Sequence, residues 1–353
     1  MLTKSRYSVK DMALWTRWET AAFLLFSATV AILYNVLDMT FLKVPWTPVA
    51  LNGTAVAFII SFQNNAAYGR IWEARKIWGG IINTSRTWGM KVNAMVSNEY
   101  ATEKMTEAEL KEEKRILIYR HISWLTSLRH AMRQPRTWET FENHSTNKEW
   151  ASLIHIPEKI TLLKDDLNCT LKQEEIDSIL TKNNKQMAVL NLQSDHIKRL
   201  KEKGLIWEFS FLELENLLQD MFDLQGKSER IKNFPYPRQY ATLSHYFVWI
   251  FLILLPFGIV PEFSKIGAEL MNNHPTVSMF FPWLAVPFCG VVSWVFHTMQ
   301  RIGTVGENPF EGSANDVPIS TISRGIEIDL RQMLGEDKDA IPGQFPEQFN
   351  VQM

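Results

Sequence analysis

This sequence has few cysteines, a net charge close to zero and no visible internal repeat. Each of these absences excludes a class of protein. The 353 residues contain two cysteines, Cys169 in a polar segment and Cys289 in an apolar one, which excludes a disulfide framework or a cysteine-based zinc site. Lys and Arg total 37 against 38 for Asp and Glu, so no basic excess indicates a nucleic-acid partner. The inverted repeats of many transporters are not visible either.

Asp, Glu, Lys and Arg are missing from four stretches that are long enough to cross a bilayer, which takes about 20 helical residues. These stretches cover residues 20–37, 44–63, 240–260 and 277–299. Prolines occur within the last of them, and a membrane bundle tolerates such prolines because neighbouring helices satisfy the freed carbonyls. The sequence therefore predicts an all-α integral membrane protein with four transmembrane helices and no cofactor.

Positive charge predicts how the spans are oriented. Residues 1–19 carry four Lys or Arg, and the segment after the second span is also rich in them. The short loops after the first and third spans hold only Lys43 and Lys265. Because positive loops stay in the cytosol, we expect both termini and residues 64–239 to lie there, with the protein in a bacterial inner membrane.

The segments outside the spans differ in pattern. Residues 64–239 show apolar positions at three- and four-residue spacing, which predicts a helical cytosolic region. Within it, residues 135–185 are more polar and irregular and are expected to form an insertion of loops and short helices. Residues 300–335 are predicted to form a cytosolic C-terminal segment, and residues 336–353, which lack periodicity, a flexible tail.

The second span mixes small and polar residues with two phenylalanines. Thr54, Phe58 and Phe62 recur at i, i+4 and i+8, so they share one face of a helix. One interpretation is close helix packing through small residues, with the phenylalanines filling a core. The other is a pore-lining helix, in which rings of Phe58 and Phe62 around an axis form an apolar neck that gates by dewetting.

Charged residues continue the same helix beyond the membrane. Arg70 and Glu73 are spaced for a helical surface just after the second span. Such charges commonly form a solvated or salt-bridged face. In a channel they could instead line a cytosolic vestibule, where they would act on passing ions.

Three motifs resemble the bestrophin family, and its bacterial branch most closely. They are FQNNAAYGRIWEARKIWG in and after the second span, ERIKNFPYPRQY before the third, and ENPFEGSANDVPI after the fourth. The resemblance implies a homopentamer around one axial pore, with a neck at Thr54, Phe58 and Phe62. Thr54 departs from the apolar residue usual at the outer position. The family's cytosolic constriction falls near Phe209.

Eukaryotic bestrophins bind calcium around the NPF motif, through an acidic cluster and nearby oxygens. Here Asn308 and Asp316 are the matching oxygen donors, but the acidic run is reduced to two residues. Calcium takes six or more oxygens, typically with several carboxylates. We therefore expect a turn or a helix cap at this loop and no metal site.

Together these features predict a passive channel for small monovalent ions, formed by a homopentamer in the lipid bilayer. The bacterial branch includes cation-conducting members, so cations are preferred over chloride in this prediction. A membrane-anchored interaction protein or scaffold is one alternative. A secondary transporter is the other, although no acidic or basic residue lies well inside a span. No nucleophile–base pair or metal-ligand spacing indicates an enzyme.

Overall fold

The computed structural model describes all 353 residues, and its regular secondary structure is helical apart from isolated bridges near the two termini. The α-helices are α1 Val9–Trp15, α2 Arg17–Asn35, α3 Trp46–Met95, α4 Glu107–Arg133, α5 Ser145–Leu153, α6 Pro157–Ile160, α7 Leu163–Leu167, α8 Gln173–Leu180, α9 Lys185–Glu202, α10 Glu208–Asn233, α11 Arg238–Leu270, α12 Pro275–Phe280, α13 Ala285–Gly306 and α14 Ile319–Met333.

The longest helix, α3, has 50 residues without a break. At 1.5 Å per residue it is about 75 Å long, more than twice the thickness of a membrane core. Pro45 precedes it and Pro48 lies in its first turn, where the missing N–H would have no helical partner anyway. No proline follows within the helix. One continuous helix therefore contains both the apolar second span and the charged segment after it.

Three helical stretches are apolar enough to cross a membrane by length and composition: Thr40–Met95, Glu208–Leu270 and Pro275–Gly306. They contain the second, third and fourth predicted spans. The first predicted span corresponds to α2, whose charged first turn, with Arg17 and Glu19, lowers its mean hydropathy. The α2 helix nevertheless packs against α11 and α13, and the four helices share one apolar core.

Prolines shape the two later stretches differently. Pro256 and Pro261 both lie inside α11, which continues through them to Leu270. The last stretch is instead interrupted at Phe281–Leu284, a 3₁₀ segment that contains Pro282 and separates α12 from α13. The sequence predicts a single span over 277–299, and the structure divides it because proline removes a helical hydrogen bond.

The part of the chain outside the predicted spans has its own core, formed by the second half of α3 with α4, α9, α10 and α14. Trp78, Trp88 and Trp124 are fully buried there. A capping box between Thr106 and Glu109 fixes the start of α4. Residues 135–185 contain the short helices α5 to α8.

Arg301, near the end of α13, joins three parts of the chain. Its guanidinium is fully buried and lies over the Trp15 ring, 4.3 Å from the ring centroid. It donates to the Trp15 carbonyl at 2.9 Å, to Glu19 at 3.0 Å and to Asn147 on α5 at 3.0 Å. The insertion, residues 135–185, is thereby attached to α2 and α13 where Arg301 lies.

The C-terminal residues differ from the flexible tail that the sequence predicts. Val351 and Met353 are buried against Ile154 and Ile156 of the insertion. A bridge pairs Leu2 with Val351. The segment has no periodic pattern because it packs as an extended chain over distant residues, and these long-range contacts leave no local signal.

Candidate functional site

The membrane part of α3 has two opposite faces. One face is buried against α11 and α13. Phe58 and Phe62 lie on the other face and are 63% and 71% exposed, and Thr54 is exposed beside them. The buried face consists of Val49, Gly53, Val56, Ile60 and Gln63. The structure thus brings the three predicted neck residues together on a surface that no other part of the chain covers.

A glycine sets how closely the buried face packs. A Cβ atom on Gly53 would lie 2.7 Å from Cε2 of Phe251 on α11, closer than real Cβ contacts allow. A methyl group at this position would therefore require the Phe251 ring to move. The close packing fixes the rotation of α3, and with it the direction in which Phe58 and Phe62 face.

Buried hydrogen bonds of Gln63, the residue after Phe62, fix the same rotation of α3. Gln63 accepts a hydrogen bond from the Ser244 hydroxyl at 2.6 Å and donates to Glu307 Oε1 at 2.9 Å. Burial raises the pKa of Glu307, which lies just after α13. Sequence reasoning missed this group of residues. A glutamine inside an apolar run was the only available signal, since its partners lie on other helices.

Arg70 lies deeper in the protein than a free vestibule charge would. Its Nε donates to the Glu307 carbonyl at 2.7 Å, and its Nη2 donates to the Ile231 carbonyl on α10 at 2.9 Å. The side chain therefore ties α3 to the ends of α10 and α13. Its predicted action on passing ions stays a prediction.

Glu73 lies on a more accessible face of α3. It forms a salt bridge of 2.7 Å with Lys76, one turn further along. The hydrogen bond from Lys76 lowers the pKa of Glu73, so this carboxylate is ionised at neutral pH. The nearby ammonium partly cancels its field, so Glu73 alone would attract cations weakly.

Phe209, the predicted constriction residue, lies in the first turn of α10 and is 62% exposed. A salt bridge between Lys91 and Glu213 places this end of α10 beside the far end of α3. From Phe62 to Lys91 is about 44 Å along the helix at 1.5 Å per residue. Phe209 is therefore far from the membrane neck, and its role as a second constriction stays a prediction.

Comparisons with known proteins identify the family. The sequence matches the family described as Bacterial/Fungal Bestrophin protein over residues 12–332. The chain belongs to this bestrophin family. It is 25% identical to the voltage-dependent anion channel-forming protein YneE of Salmonella typhi, over 92% of this chain and 88% of that protein. A Ralstonia nicotianae protein, voltage-dependent anion channel-forming protein RSc3414, is 26% identical over 82% of this chain and 78% of its own length.

The fold is also that of a bestrophin. A crystal structure of a bacterial bestrophin homologue from Klebsiella pneumoniae superposes with a TM-score of 0.69. The identity is 22%, and the match covers 91% of this chain and 98% of that one. This bestrophin is thus a mostly helical membrane protein of an ion-channel family, and the resemblance that its three motifs indicate is confirmed.

In this bestrophin the loop after α13 folds around Asp316. One carboxylate oxygen accepts the backbone N–H groups of Gly312 and Ser313 at 2.6 and 3.0 Å, and the other accepts the Ser313 hydroxyl at 2.5 Å. Asn308 donates weakly to Glu311 at 3.4 Å. Asp316 thus stabilises a turn within the loop. No group of three or more His, Cys, Asp or Glu side chains is arranged to hold a metal ion.

Glu311 of the same loop is buried in an unusual environment for a carboxyl group. It accepts the backbone N–H of Phe141 at 2.7 Å and so attaches the loop to the insertion. Burial raises the pKa of Glu311 to about 8, with Asp316 and Glu139 adding to the shift. At neutral pH this side chain is therefore largely protonated.

Proposed function

We propose that this bestrophin assembles as a homopentamer in the bacterial inner membrane and conducts small monovalent ions through one axial pore. The α3 helices of five copies would surround the axis, and α2, α11 and α13 would form the outer membrane layer. The observation that carries the proposal is the exposed Thr54–Phe58–Phe62 face, which the chain itself leaves without a partner.

The chemistry of this face supports a gate. Two phenylalanine rings per copy, about 6 Å apart along the helix, would give two stacked apolar rings around the axis. A narrow apolar neck excludes water and stops ions without a moving plug. The Thr54 hydroxyl donates to the Ala50 carbonyl at 3.0 Å and keeps its oxygen available to water. The outer end of the neck would therefore be wetter than the two phenylalanine rings.

The four-span topology with cytosolic termini belongs to the same proposal. The charged residues of α2 occupy its first turn, next to the cytosolic insertion that Arg301 contacts. The α3 helix then enters the cytosol beyond Phe62, and α11 returns from it. This arrangement agrees with the distribution of Lys and Arg between the two sides.

Two selectivities are supported by different observations. The exposed face of α10 carries Glu208, Glu213 and Asp223, each paired with a lysine, and Asp220, which has no salt bridge. Asp220 would attract cations if this face lined the ion path, and cations are our preference. The relatives named as anion channel-forming proteins support chloride instead. Phenylalanine is compatible with both, because a ring offers its positive edge to anions and its face to cations.

Currents through purified protein in a planar bilayer test the channel and its selectivity together. Under a KCl gradient, we expect the current to reverse near the potassium equilibrium potential. Reversal near the chloride potential would instead assign the anion selectivity of the named relatives. No current from protein of pentameric mass would contradict the channel and favour the scaffold alternative.

Shortening a neck side chain tests the gate. Phe58→Ala should raise single-channel conductance or open probability severalfold, because the neck becomes wider and wets more easily. Phe280 is the matched control, since it is 61% exposed on α12 and lies off the α3 face. Phe280→Ala should leave the current unchanged. Equal currents from wild type and Phe58→Ala would contradict the assignment of the neck.

A further inference from the structure

An apolar cavity lies between α1, α5, the end of α13 and the loop that follows α13. Its volume is about 220 Å³. Nine of its thirteen lining residues are hydrophobic, so water would find few hydrogen bonds inside it. An apolar cavity of roughly 150 Å³ already holds a molecule of the size of benzene. The space is therefore suited to an apolar group such as part of a hydrocarbon chain.

The polar side chains of the lining are engaged with one another. The indole N–H of Trp15 donates to Asn147 Oδ1 at 2.7 Å. The Tyr7 hydroxyl donates to Asn315 Oδ1 at 2.9 Å. Neither donor needs a partner from a ligand, so the group that fills the cavity can be entirely apolar.

The cavity continues into an apolar surface of α13. Ile302 is the only hydrophobic lining residue that is exposed. It ends a row of exposed apolar side chains that are spaced three or four residues apart and so share one face of the helix. The row consists of Phe288, Val291, Val295, Met299 and Ile302. It extends from within the fourth predicted span to the cavity, so a hydrocarbon chain that enters from the bilayer would have apolar side chains along its path.

Three cations of the N-terminal segment have no acidic partner. Lys4, Arg6 and Lys10 are exposed, and none of them forms a salt bridge. The pKa of Asp11, the single acidic residue of the lining, is lowered chiefly by hydrogen bonds with Ser8 and further by the charges of Lys4 and Lys10. Both lysines therefore lie close to the rim of the cavity, where they outnumber the one carboxylate. Unpaired cations beside a bilayer attract anionic lipids.

We propose that this cavity binds an anionic phospholipid of the membrane, with one acyl chain inside the cavity and the phosphate against Lys4 and Lys10. The proposal rests on the proposed topology, which places the start of α2 and the end of α13 at the cytosolic surface of the bilayer. Such a lipid supplies both an apolar occupant for the cavity and a counter-charge for the lysines.

Lipid retention by the purified full-length protein tests the site and does not depend on ion conduction. The protein is delipidated in detergent and incubated with equal amounts of phosphatidylglycerol and phosphatidylcholine that carry the same acyl chains. Native mass spectrometry then counts the lipids that are retained per chain. We expect a single phosphatidylglycerol per chain and little phosphatidylcholine, because only phosphatidylglycerol carries a net negative charge.

Two kinds of variant separate the contribution of the acyl chain from that of the phosphate. Ala314→Phe should abolish retention, because Ala314 lines the cavity and the new ring would occupy it. Lys4→Gln combined with Lys10→Gln should weaken retention by about fivefold for each lysine. Both lysines are exposed, so this double variant tests the site even if Ala314→Phe does not fold.

Matched control substitutions lie in or just before α4, outside the cavity. Ala108→Phe, and Lys104→Gln combined with Lys111→Gln, change exposed positions and should retain lipid as wild type does. The proposal is overturned if phosphatidylcholine is retained equally well, or if the cavity and lysine variants retain lipid as wild type does. A changed oligomer mass of Ala314→Phe with unchanged lipid retention would assign the cavity to a second copy of the chain instead.

Failure of the lipid site and failure of the channel give different results. Protein that retains phosphatidylglycerol but carries no current contradicts the proposed channel alone. Protein that conducts ions but retains no phosphatidylglycerol contradicts the lipid site alone.

Discussion

The two halves of α3 lie in different solvents and use aromatic residues in opposite ways. In the half beyond the predicted span, Trp78 and Trp88 are fully buried against neighbouring helices. In the membrane half, Phe58 and Phe62 remain exposed. Water drives apolar side chains into a core, whereas lipid exerts no such force. The second half of α3 therefore contributes to a core that is completed within one chain, whereas Phe58 and Phe62 in the membrane half are left uncovered by the chain.

The largest effect on stability should come from removing a side chain from the core outside the predicted spans. Trp88→Ala is expected to lower the free energy of unfolding by about 3–5 kcal/mol, because it removes a large buried side chain and leaves a cavity. Phe62→Ala should change it by less than about 1 kcal/mol, since the side chain is 71% exposed. Thermal midpoints of the two variants in detergent measure the difference. Similar decreases in thermal midpoint for both variants would contradict the difference in burial between the two halves of α3.

The next effect is a dependence of stability on pH, and it should be confined to the part of the chain outside the predicted spans. The pKa of Glu311 is raised by burial from 4.5 to about 8, so the folded protein holds this proton more tightly than the unfolded chain. The stability that depends on the proton is complete below about pH 4.5 and is lost as pH rises toward 8. The loss is at most about 1.4 kcal/mol per pH unit.

Glu311→Gln removes that titration and keeps an acceptor for the Phe141 N–H. The thermal midpoint of the variant should therefore fall less than that of wild type between pH 5 and pH 8. Glu103→Gln, at an exposed position before α4, is the control and should keep the wild-type pH dependence. If Glu311→Gln is as pH-sensitive as wild type, another group is responsible.

A smaller effect on stability should distinguish the buried face of α3 from its exposed face. Gly53→Ala should destabilise the membrane part by about 1–3 kcal/mol, because the new methyl group would overlap Phe251. A Cβ on Gly69 would meet nothing within 4 Å. Gly69→Ala should therefore be neutral or stabilising by up to about 1 kcal/mol, through higher helix propensity. A loss of stability in Gly69→Ala would show that this face is packed in the assembled protein.

Local patterns were sufficient to predict the helices and the face that Thr54, Phe58 and Phe62 share. Residues at i, i+4 and i+8 must lie together on any α-helix, whatever surrounds it. The motifs around Arg70, Pro235 and Asn308 were sufficient to identify the family. These features depend on neighbours in the chain, so one sequence reveals them.

Features that depend on distant segments could not be predicted in this way. Arg70 appeared to be a surface charge until the structure placed its donors on the carbonyls of Ile231 and Glu307. The C-terminal residues appeared loose because their partners, Ile154 and Ile156, are about 200 residues earlier.

In mechanical terms the unbroken α3 helix is a lever. A rod of about 75 Å that tilts by 5° about one end displaces its other end by roughly 6 Å, the length of one helical turn. A hinge in the middle would absorb such a tilt locally, and α3 has no proline there. In the proposed pentamer, a small change of angle imposed on the Lys91 end of α3, about 44 Å from Phe62, would therefore change the width between opposing phenylalanine rings.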